Sequence, residues 1–353
     1  MTSYLSQKIR FISFLSIIMV VVLHCYNLDS KQNGVVLHFD KDYNWFFQNL
    51  FSYGITRIAV PLFFMISGYL FFLGFTNQKG VLIDKIKKRI KTIMIPYFFW
   101  TIMGVLFYFI IQSVPKLQPF FNKKLVINYD FSDWINAIFV DLIPYQLWFL
   151  RDLIVLVFIS FIIYVTIKKT RFLLVLVSFF FWIFNQNTIF LSSESILFFS
   201  TGATIALYYP DYPNKLFTNR KMILIWIALL VIKILFMYFY EDQKAIINII
   251  HKMSVIIGLS AIWNSYDIIY PKMKTSIFKE NKFLDYSFFI YVFHEPLLTI
   301  VKKLMFLVVG KKEVSYFIIY CISPFIVISI CLIVGNILKN HFNKFYKFTT
   351  GYR

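Results

Sequence analysis

Ten apolar runs separated by short polar gaps are the feature that most constrains the fold of this chain. A helix of about 20 apolar residues is long enough to span the hydrocarbon core of a bilayer. Hydrophobic residues form 59% of the 353 residues, whereas soluble domains contain about 45–50%. The sequence therefore predicts an all-α polytopic membrane protein, a bundle of about ten transmembrane helices. The predicted spans are 11–27, 55–76, 92–114, 146–167, 172–189, 194–209, 221–240, 246–265, 286–308 and 316–338.

The distribution of lysine and arginine predicts the orientation of these helices. The alternate gaps, such as 28–54 and 115–145, hold few basic residues and several aspartates. Because cytoplasmic loops are enriched in Lys and Arg, we expect both termini in the cytoplasm and a location in the plasma or inner membrane. Most of the 36 basic residues lie at the N-terminus, in segments 77–91, 168–171, 210–221 and 266–285, and in the C-terminal tail.

The chain shows no sign of a second domain. No Pro-, Gly- or Ser-rich linker and no internal repeat divides it, so residues 1–353 are predicted to form a single integral-membrane domain with no appended soluble domain. The segment from Phe131 to Leu142 is predicted to form an interfacial helix. Asn185, Gln186 and Asn187 separate the fifth and sixth runs, which form either two spans or one re-entrant pair.

Topology, and not nucleic-acid binding, explains the net charge of +19. The basic residues lie in the gaps between apolar runs and are not interleaved with solvated aromatic residues on one surface. Cys25, Cys321 and Cys331 show neither CxxC nor Cys/His ligand spacing. We therefore expect no nucleic-acid partner, no disulfide framework and no metal site.

His24 lies near the end of the first apolar run, and Arg10 stands at its start. An ionisable side chain inside a membrane helix is costly to desolvate and is therefore rare. In a helix the two residues would lie on nearly the same face, about 21 Å apart along the axis. A cation near one membrane surface and a base near the other would suit a site that works across the bilayer. The alternative is a histidine that only hydrogen-bonds a neighbouring helix or lies at the interface.

Two further runs contain polar side chains with two interpretations each. Arg57, at the outer end of the second run, either faces a cavity or extends to the membrane surface. Ser67 and Gly68 in the same run permit close packing of helices or a kink. In the fourth run, Arg151 either holds a substrate oxygen in the bundle interior or forms a structural pair with Asp152.

The ninth run contains His294, followed by Glu295 and Pro296. A proline inside a helix leaves a carbonyl without its intrahelical partner, which commonly marks a cavity in a membrane protein. Two membrane histidines together with two membrane arginines exceed what packing usually requires, so we predict a polar internal site. The basic segment Lys85–Lys91 either attracts an anionic cytoplasmic ligand or serves only as a topology signal.

Five sequence blocks, in a fixed order along the chain, carry a resemblance to a known family. They are Phe11–His24, which ends in Val-Val-Val-Leu-His, and then Val60–Gly68, Lys88–Trp100, Leu147–Arg151 and Tyr286–Pro296. With these blocks the chain resembles the acyltransferase 3 family of integral-membrane acyltransferases, which modify carbohydrates at the cell surface. The resemblance covers most of the chain. Its specificity comes from the order of the blocks, since no single block is specific.

One position departs from the family pattern. The family's first helix usually carries an arginine eleven residues before the histidine, and this chain has Ser13 there. Arg10 lies one turn earlier, about 40–60° around the helix. A long guanidinium side chain can cover that offset. If it does not, the donor binds differently or the chain is a relative that has lost the activity.

The resemblance implies a role for each candidate residue. His24 would be the catalytic histidine, either as general base on the acceptor hydroxyl or as a transient acyl carrier. Arg10, with Lys88 and Arg89, would bind the phosphates of a cytoplasmic acyl-CoA, such as acetyl-CoA. The residues that would line the cavity and hold the acyl carbonyl or the sugar are Arg57, Ser67, Arg151, His294 and Glu295.

The function implied by the resemblance is a membrane O-acyltransferase that transfers an acyl group, here an acetyl group, to a cell-envelope polysaccharide or its lipid-linked precursor. Without a fused extracytoplasmic domain, the chain would reach this acceptor directly or use a glycan-assembly partner. The alternatives are a polysaccharide export or assembly component and a small-molecule transporter. The fifth, seventh and tenth runs contain few polar residues, which disfavours a wide polar conduit and favours the enzyme.

Overall fold

The computed structural model describes residues 1–28, 31–32, 35–36, 40–75, 79–121, 123–188, 190–273, 282–310 and 312–352. This part of the chain is almost entirely helical, as the apolar runs predict. Two very short strands, β1 (Lys31–Gln32) and β2 (Val35–Val36), pair antiparallel. The helices are α1 (Ser3–Cys25), α2 (Tyr43–Gln48), α3 (Ala59–Phe72), α4 (Lys79–Arg89), α5 (Ile95–Gln112), α6 (Phe131–Phe139), α7 (Trp148–Phe158), α8 (Ser160–Thr170), α9 (Leu173–Ile183), α10 (Ser193–Tyr208), α11 (Arg220–Phe239), α12 (Lys244–Met273), α13 (Ser287–Val309), α14 (Glu313–His341) and α15 (Asn343–Thr350).

The chain divides into two compact units. Unit 1 comprises residues 1–73 and 201–334, and unit 2 comprises residues 74–200 and 335–353. Within unit 1, α1 packs against α3 and α13, and α11 packs against α12. Within unit 2, α15 packs against α5, where the Trp100 indole nitrogen donates to the carbonyl oxygen of Thr349 over 2.9 Å. A single domain over the whole chain stays a prediction.

Six helical segments of the described chain are long and apolar enough to cross a membrane. A bent pair, Tyr145–Phe158 and Ser160–Thr170, adds a seventh if the two helices form one span across their 64° bend. Repeated apolar helices of this length make the chain a multi-pass membrane protein. The six segments are Ser3–Cys25, Tyr43–Phe72, Gly80–Gln112, Arg220–Phe239, Lys244–Tyr270 and Glu313–His341.

Each of the ten predicted runs contains a helix, although not every one of these helices is long and apolar enough to cross a membrane. The helix α9 has 11 residues and α10 has 16, so both are short for a span. The helix α13 has 23 residues but contains Glu295, Lys302 and Lys303. The count of ten spans and the cytoplasmic termini stay predictions. Some of the predicted segments lie partly outside the described residues. These are residues 76 and 189, where the second and fifth predicted runs end, and parts of the gaps 28–54, 77–91, 115–145 and 266–285.

The helix α3 is preceded by a stretch of irregular helix that carries Arg57. A π-helix (Asn49–Gly54) and a 3₁₀ helix (Ile55–Ile58) lead directly into α3. Pro61 lies in the first turn of α3, where its missing N–H removes no bond from the helix interior. Short π and 3₁₀ stretches within long helices are frequent at functional sites, and this one carries a cation that the sequence singled out.

The segment predicted to form an interfacial helix is observed as α6 in unit 2. Its first turn is fixed by a reciprocal pair of bonds, because Asp130 accepts from the Asp133 amide and Asp133 accepts from the Asp130 amide. The Lys124 ammonium also bonds Asp133, and together with the Asp130 amide it holds the pKa of that carboxyl below its usual value. The helix ends at Phe139, three residues before the predicted Leu142. Its interfacial position stays a prediction.

A close helix contact in unit 1 requires Gly202 of α10. A Cβ atom at this position would lie 2.0 Å from the Met65 carbonyl oxygen and 2.8 Å from the Tyr69 nitrogen, both in α3. These are backbone atoms, so they cannot move aside without disturbing α3. Small residues let helix backbones approach in this way. The contact falls on the turn of α3 that contains Ser67 and Gly68, where the sequence predicts close packing.

We expect Gly202→Ala to lower the free energy of unfolding by about 1–3 kcal/mol, because the added methyl group overpacks this contact. Gly80→Ala is the matched control, since a Cβ at Gly80 would meet nothing within 4 Å. Thermal unfolding of both variants in detergent gives the comparison. Equal Tm values for the two variants would contradict the close contact.

Candidate active site

The helix α1 carries His24 in its last turn. The helix is held in unit 1 by packing against α3 and α13, with Ile12 and Val21 among its buried side chains. His24 itself is partly accessible. The imidazole therefore lies at the end of a buried helix, where a ligand can reach it without disturbing the packing of α1.

His24 and His294 form a stacked pair between α1 and α13. Their ring centroids are 5.6 Å apart and the ring planes differ by 21°. His294 is completely buried, with 0% of its surface exposed. The tertiary fold thus brings together the two membrane histidines that lie 270 positions apart in the sequence.

The hydrogen bonds of His294 define which of its ring nitrogens carries the proton. Its Nδ1 lies 2.7 Å from the Tyr291 carbonyl oxygen and 3.2 Å from the Ile290 carbonyl oxygen. Carbonyl oxygens only accept, so Nδ1 must be the donor and Nε2 carries the lone pair of the neutral ring. Nε2 is buried and has no hydrogen-bond partner among the described residues. A buried acceptor without a donor is costly, so this atom is suited to a hydroxyl supplied by a ligand.

A break in α13 follows His294 directly. Glu295 has non-helical backbone angles, and Pro296, which lacks an N–H, begins the second half of the helix. Glu295 is only 5% exposed, and its carboxylate accepts a hydrogen bond from the Thr299 hydroxyl over 2.9 Å. The predicted disruption of the ninth run is therefore observed, and it holds a carboxylate beside the histidine pair.

Lys302, which the sequence reasoning missed, ties α13 to the end of α1. Its ammonium donates to the carbonyl oxygen of His24 over 2.8 Å. The last carbonyls of a helix lack intrahelical partners, and a cation there both satisfies them and complements the helix dipole. Lys302 therefore fixes the turn that carries the His24 ring. The available signal was its spacing of seven residues from Glu295, about two turns, which places the two on one face of a helix.

Arg57 also lies near this end of α1. Its guanidinium carbon is 4.7 Å from the centre of the Tyr53 ring. Tyr53 in turn packs edge-on against Tyr26, with ring centroids 4.8 Å apart. The positive charges of Arg57 and Lys302 both act on His24. The site is consequently electropositive, a setting that favours negative charge developing on a bound ligand.

At the opposite end of α1 two cations have different environments. Lys8 is 0% exposed, and its ammonium lies 2.7 and 2.8 Å from the two carboxylate oxygens of Asp267 and 4.3 Å from the Trp263 ring centre. Arg10 forms an ion pair of 2.8 Å with Asp285, and these side chains are 39% and 45% exposed. Lys8 thus has a structural role that the sequence reasoning missed, whereas Arg10 remains accessible.

The remaining predicted site residue of unit 1, Ser67, lies in α3 about 15 Å along the helix axis from Arg57. It belongs to the packed turn beside Gly202. Lys88 and Arg89 belong to unit 2 and form the last turn of α4. Lys88 is exposed, and Arg89 lines a small apolar pocket with Ile93 and Val157.

Arg151, also in unit 2, is engaged by the protein itself. Its guanidinium donates to Asp152 over 2.9 Å and to the Val140 carbonyl oxygen over 2.7 Å. The second oxygen of Asp152 accepts from the amide and the hydroxyl of Ser192, each over 3.0 Å. Of the two interpretations left open by the sequence, the geometry favours the structural pair, which links α7 to the ends of α6 and α10.

The arrangement supplies the groups needed for acyl transfer. The two histidines provide a base or nucleophile, and Nε2 of His294 has no hydrogen-bond partner among the described residues. The helix end that carries His24 is fixed, and two cations lie beside it. Within the described residues no group of three or more His, Cys, Asp or Glu side chains is arranged to hold a metal ion. The fold and site together define a multi-pass helical membrane protein with a histidine-based centre in unit 1.

Comparison with known families identifies the chain more closely. The sequence profile of the acyltransferase 3 family, described as an acyltransferase domain, matches residues 9–335. The chain therefore belongs to this family and is a membrane acyltransferase. No curated protein and no solved structure matches it significantly.

We expect Asp267→Asn to lower the free energy of unfolding by about 3–5 kcal/mol, because it leaves the buried Lys8 ammonium without its counter-charge. Asp285→Asn, which breaks the exposed pair with Arg10, is the control and should cost less than about 1 kcal/mol. Thermal unfolding in detergent measures both. A loss for Asp267→Asn no larger than for the control would show that Lys8 is not held as an ion.

Proposed function

We propose that this acyltransferase moves an acetyl group from cytoplasmic acetyl-CoA to a hydroxyl of a cell-envelope polysaccharide or its lipid-linked precursor. The observation that carries the proposal is the stacked pair of His24 and His294, with a buried Nε2 that awaits a hydroxyl donor. An acyl acceptor with hydroxyl groups, such as a sugar, supplies that donor. The acyl donor must be activated, and CoA thioesters are the activated acyl groups available on the cytoplasmic side.

In this proposal the two histidines have separate tasks. His294, oriented through its Nδ1–H bonds to helix carbonyls, positions the acceptor hydroxyl at Nε2. His24 acts on the acyl group, either as the transient acyl carrier or as the base that takes the hydroxyl proton. In both cases the acceptor oxygen bonds to the acyl carbon, the bond from that carbon to its leaving group breaks, and an imidazole holds the hydroxyl proton. Arg57 stabilises the negative charge that develops on the acyl carbonyl oxygen.

For the donor we propose that Arg10 binds the phosphates of acetyl-CoA. A role of Lys88 and Arg89 in donor binding stays a prediction from the sequence. Exposed ion pairs contribute little stability, so the Arg10 guanidinium can leave Asp285 for a phosphate at small cost. Lys8 is enclosed by Asp267 and aromatic rings and is not available for this role. Arg10 would thereby take the role of the arginine that the family usually carries at the position of Ser13.

The proposed setting is a single domain over residues 1–353, with ten spans, both termini cytoplasmic and a location in the plasma or inner membrane. The alternation of basic and acidic gaps supports this orientation. His24 then lies toward the outer side and Arg10 toward the cytoplasm. The acceptor, or a glycan-assembly partner that presents it, would meet the protein from outside.

The test uses membranes that contain matched amounts of each variant, supplied with radiolabelled acetyl-CoA, and measures label in the glycan fraction. We expect His24→Ala to lower transfer by at least about 100-fold, the usual range for loss of an acid–base group. His341→Ala, at an exposed histidine near the end of α14, is the control and should transfer as wild type does. Label bound to the wild-type protein without acceptor, and absent from His24→Ala, would identify His24 as an acyl carrier.

Two further variants test the other roles. His294→Asn keeps a donor for the helix carbonyls but removes the Nε2 acceptor, so we expect transfer to the glycan to fall. Arg10→Ala should raise the KM for acetyl-CoA, whereas Asp285→Asn should not. If no variant differs from membranes without the protein while surface polysaccharide still depends on it, the export function replaces this proposal.

A further inference from the structure

Two backbone carbonyls in the last turn of α1, the turn that carries His24, accept hydrogen bonds from side chains of other elements. In a regular α-helix the Tyr26 amide would donate to the Val22 carbonyl oxygen. It donates instead to the Leu23 carbonyl oxygen, over 3.4 Å. The end of α1 therefore tightens after Val22, and the Val22 and His24 carbonyls are available to donors from elsewhere in unit 1.

Ser52 supplies one of these donors and is itself held by Tyr320 of α14. The Ser52 hydroxyl lies 3.3 Å from the Val22 carbonyl oxygen and 2.9 Å from the Tyr320 hydroxyl. A carbonyl oxygen only accepts, so Ser52 donates to Val22 and accepts from Tyr320. Ser52 is 1% exposed and Tyr320 is 3% exposed. Both bonds lie away from solvent, where a polar group that loses its partner is costly.

Lys302 supplies the other donor, through its bond of 2.8 Å to the His24 carbonyl oxygen. Val22 and His24 are two residues apart, so their carbonyls lie about 200° apart around the helix axis. Ser52 and Lys302 thus hold the end of α1 from nearly opposite sides, which restricts its rotation as well as its position. Lys302 lies on α13, the helix that also carries His294. Its bond consequently links the two helices that carry the histidine pair.

We infer that Ser52 and Lys302 are positioning residues for acyl transfer, and that Tyr320 supports Ser52 in this role. Their hydrogen bonds to α1 go to the backbone, so they act on the reaction through the orientation of the His24 ring against His294. Acyl transfer requires its reacting groups to be closely aligned. This inference rests on the proposed transfer at the histidine pair and adds the residues that fix the geometry of that pair.

The first experiment measures kcat and KM in the membrane transfer assay, with matched amounts of each variant. We expect Lys302→Met to lower kcat by about 10- to 100-fold, because a misplacement of about 1 Å can cost about 100-fold in rate. The KM values for acetyl-CoA and for the acceptor should not change. Lys302→Arg keeps the charge and a donor and should recover most of the rate. Lys312→Met, at an exposed lysine that follows α13, is the control and should transfer as wild type does.

Ser52→Ala tests the second bond by a smaller change, which keeps the inference open to test even if Lys302→Met does not fold. We expect kcat to fall by about 3- to 10-fold, the range for one hydrogen bond. Tyr320→Phe should cost less alone and nothing further in combination with Ser52→Ala, since both act through one chain of bonds. Ser265→Ala is the matched control, because the Ser265 hydroxyl bonds the Ala261 carbonyl oxygen within its own helix, α12.

The second experiment does not depend on activity. Hydrogen–deuterium exchange of the purified protein in detergent follows the backbone amides of residues 19–28, which include the last turn of α1. We expect these amides to exchange faster in Lys302→Met and in Ser52→Ala than in wild type, because the end of the helix opens more often. Exchange in the control Lys312→Met should equal that of wild type.

Three results would overturn the inference. The first is an unchanged kcat in both Lys302→Met and Ser52→Ala, or a kcat for Lys302→Arg as low as that for Lys302→Met. The second is a raised KM with an unchanged kcat, which would assign these side chains to substrate binding. The third is wild-type exchange of residues 19–28 in both variants. If wild type transfers no label at all, the proposed function fails, while the exchange experiment still decides whether Ser52 and Lys302 hold the end of α1.

Discussion

The membrane interior contains no water to satisfy polar groups, and this constraint organises the polar side chains of the structure. Three charged groups drawn into helices have partners supplied by the fold: Lys8 bonds Asp267, Arg151 bonds Asp152, and Lys302 bonds the His24 carbonyl oxygen at the end of α1. These bonds also fix the helices relative to one another within each unit. Against this background, a buried polar atom that has no hydrogen-bond partner among the described residues is informative, because a ligand that bonds to it removes the cost of its burial.

The histidine centre shows how a local break produces such an atom. Pro296 prevents a regular helix at Glu295, and the His294 Nδ1–H bonds carbonyls of the preceding turn. Because Nδ1–H donates to the backbone, the lone pair of the neutral ring is on Nε2, which has no hydrogen-bond donor among the described residues. The α1 helix ends beside it, so His24 is held against a ring of fixed tautomer. Backbone geometry thus orients the His294 ring.

Sequence reasoning succeeded where the signal is local. The apolar runs predicted the helices, and the cost of ionisable groups in a membrane singled out His24 and His294. The sequence did not decide between the two interpretations of Arg151, because adjacent residues on a helix point about 100° apart. The ion pair with Asp152 forms only because the long Arg151 side chain folds back. Sequence reasoning overlooked Lys302 and Lys233, because a lysine near the end of an apolar run resembles a topology signal until its partners are known.

The sequence by itself determined that this protein is helical, crosses the membrane several times and is an acyltransferase, because apolar run length and ordered motifs are properties of the chain alone. Only the tertiary structure decided which polar residues meet. Contacts between α1 and α13, and between α11 and α12, depend on helix packing that hydropathy does not encode, since apolar faces toward lipid and toward protein have similar composition. Packing therefore decided that His24 stacks on His294, that Lys8 is enclosed while Arg10 is accessible, and that the Lys233 ammonium meets Nδ1 of His251.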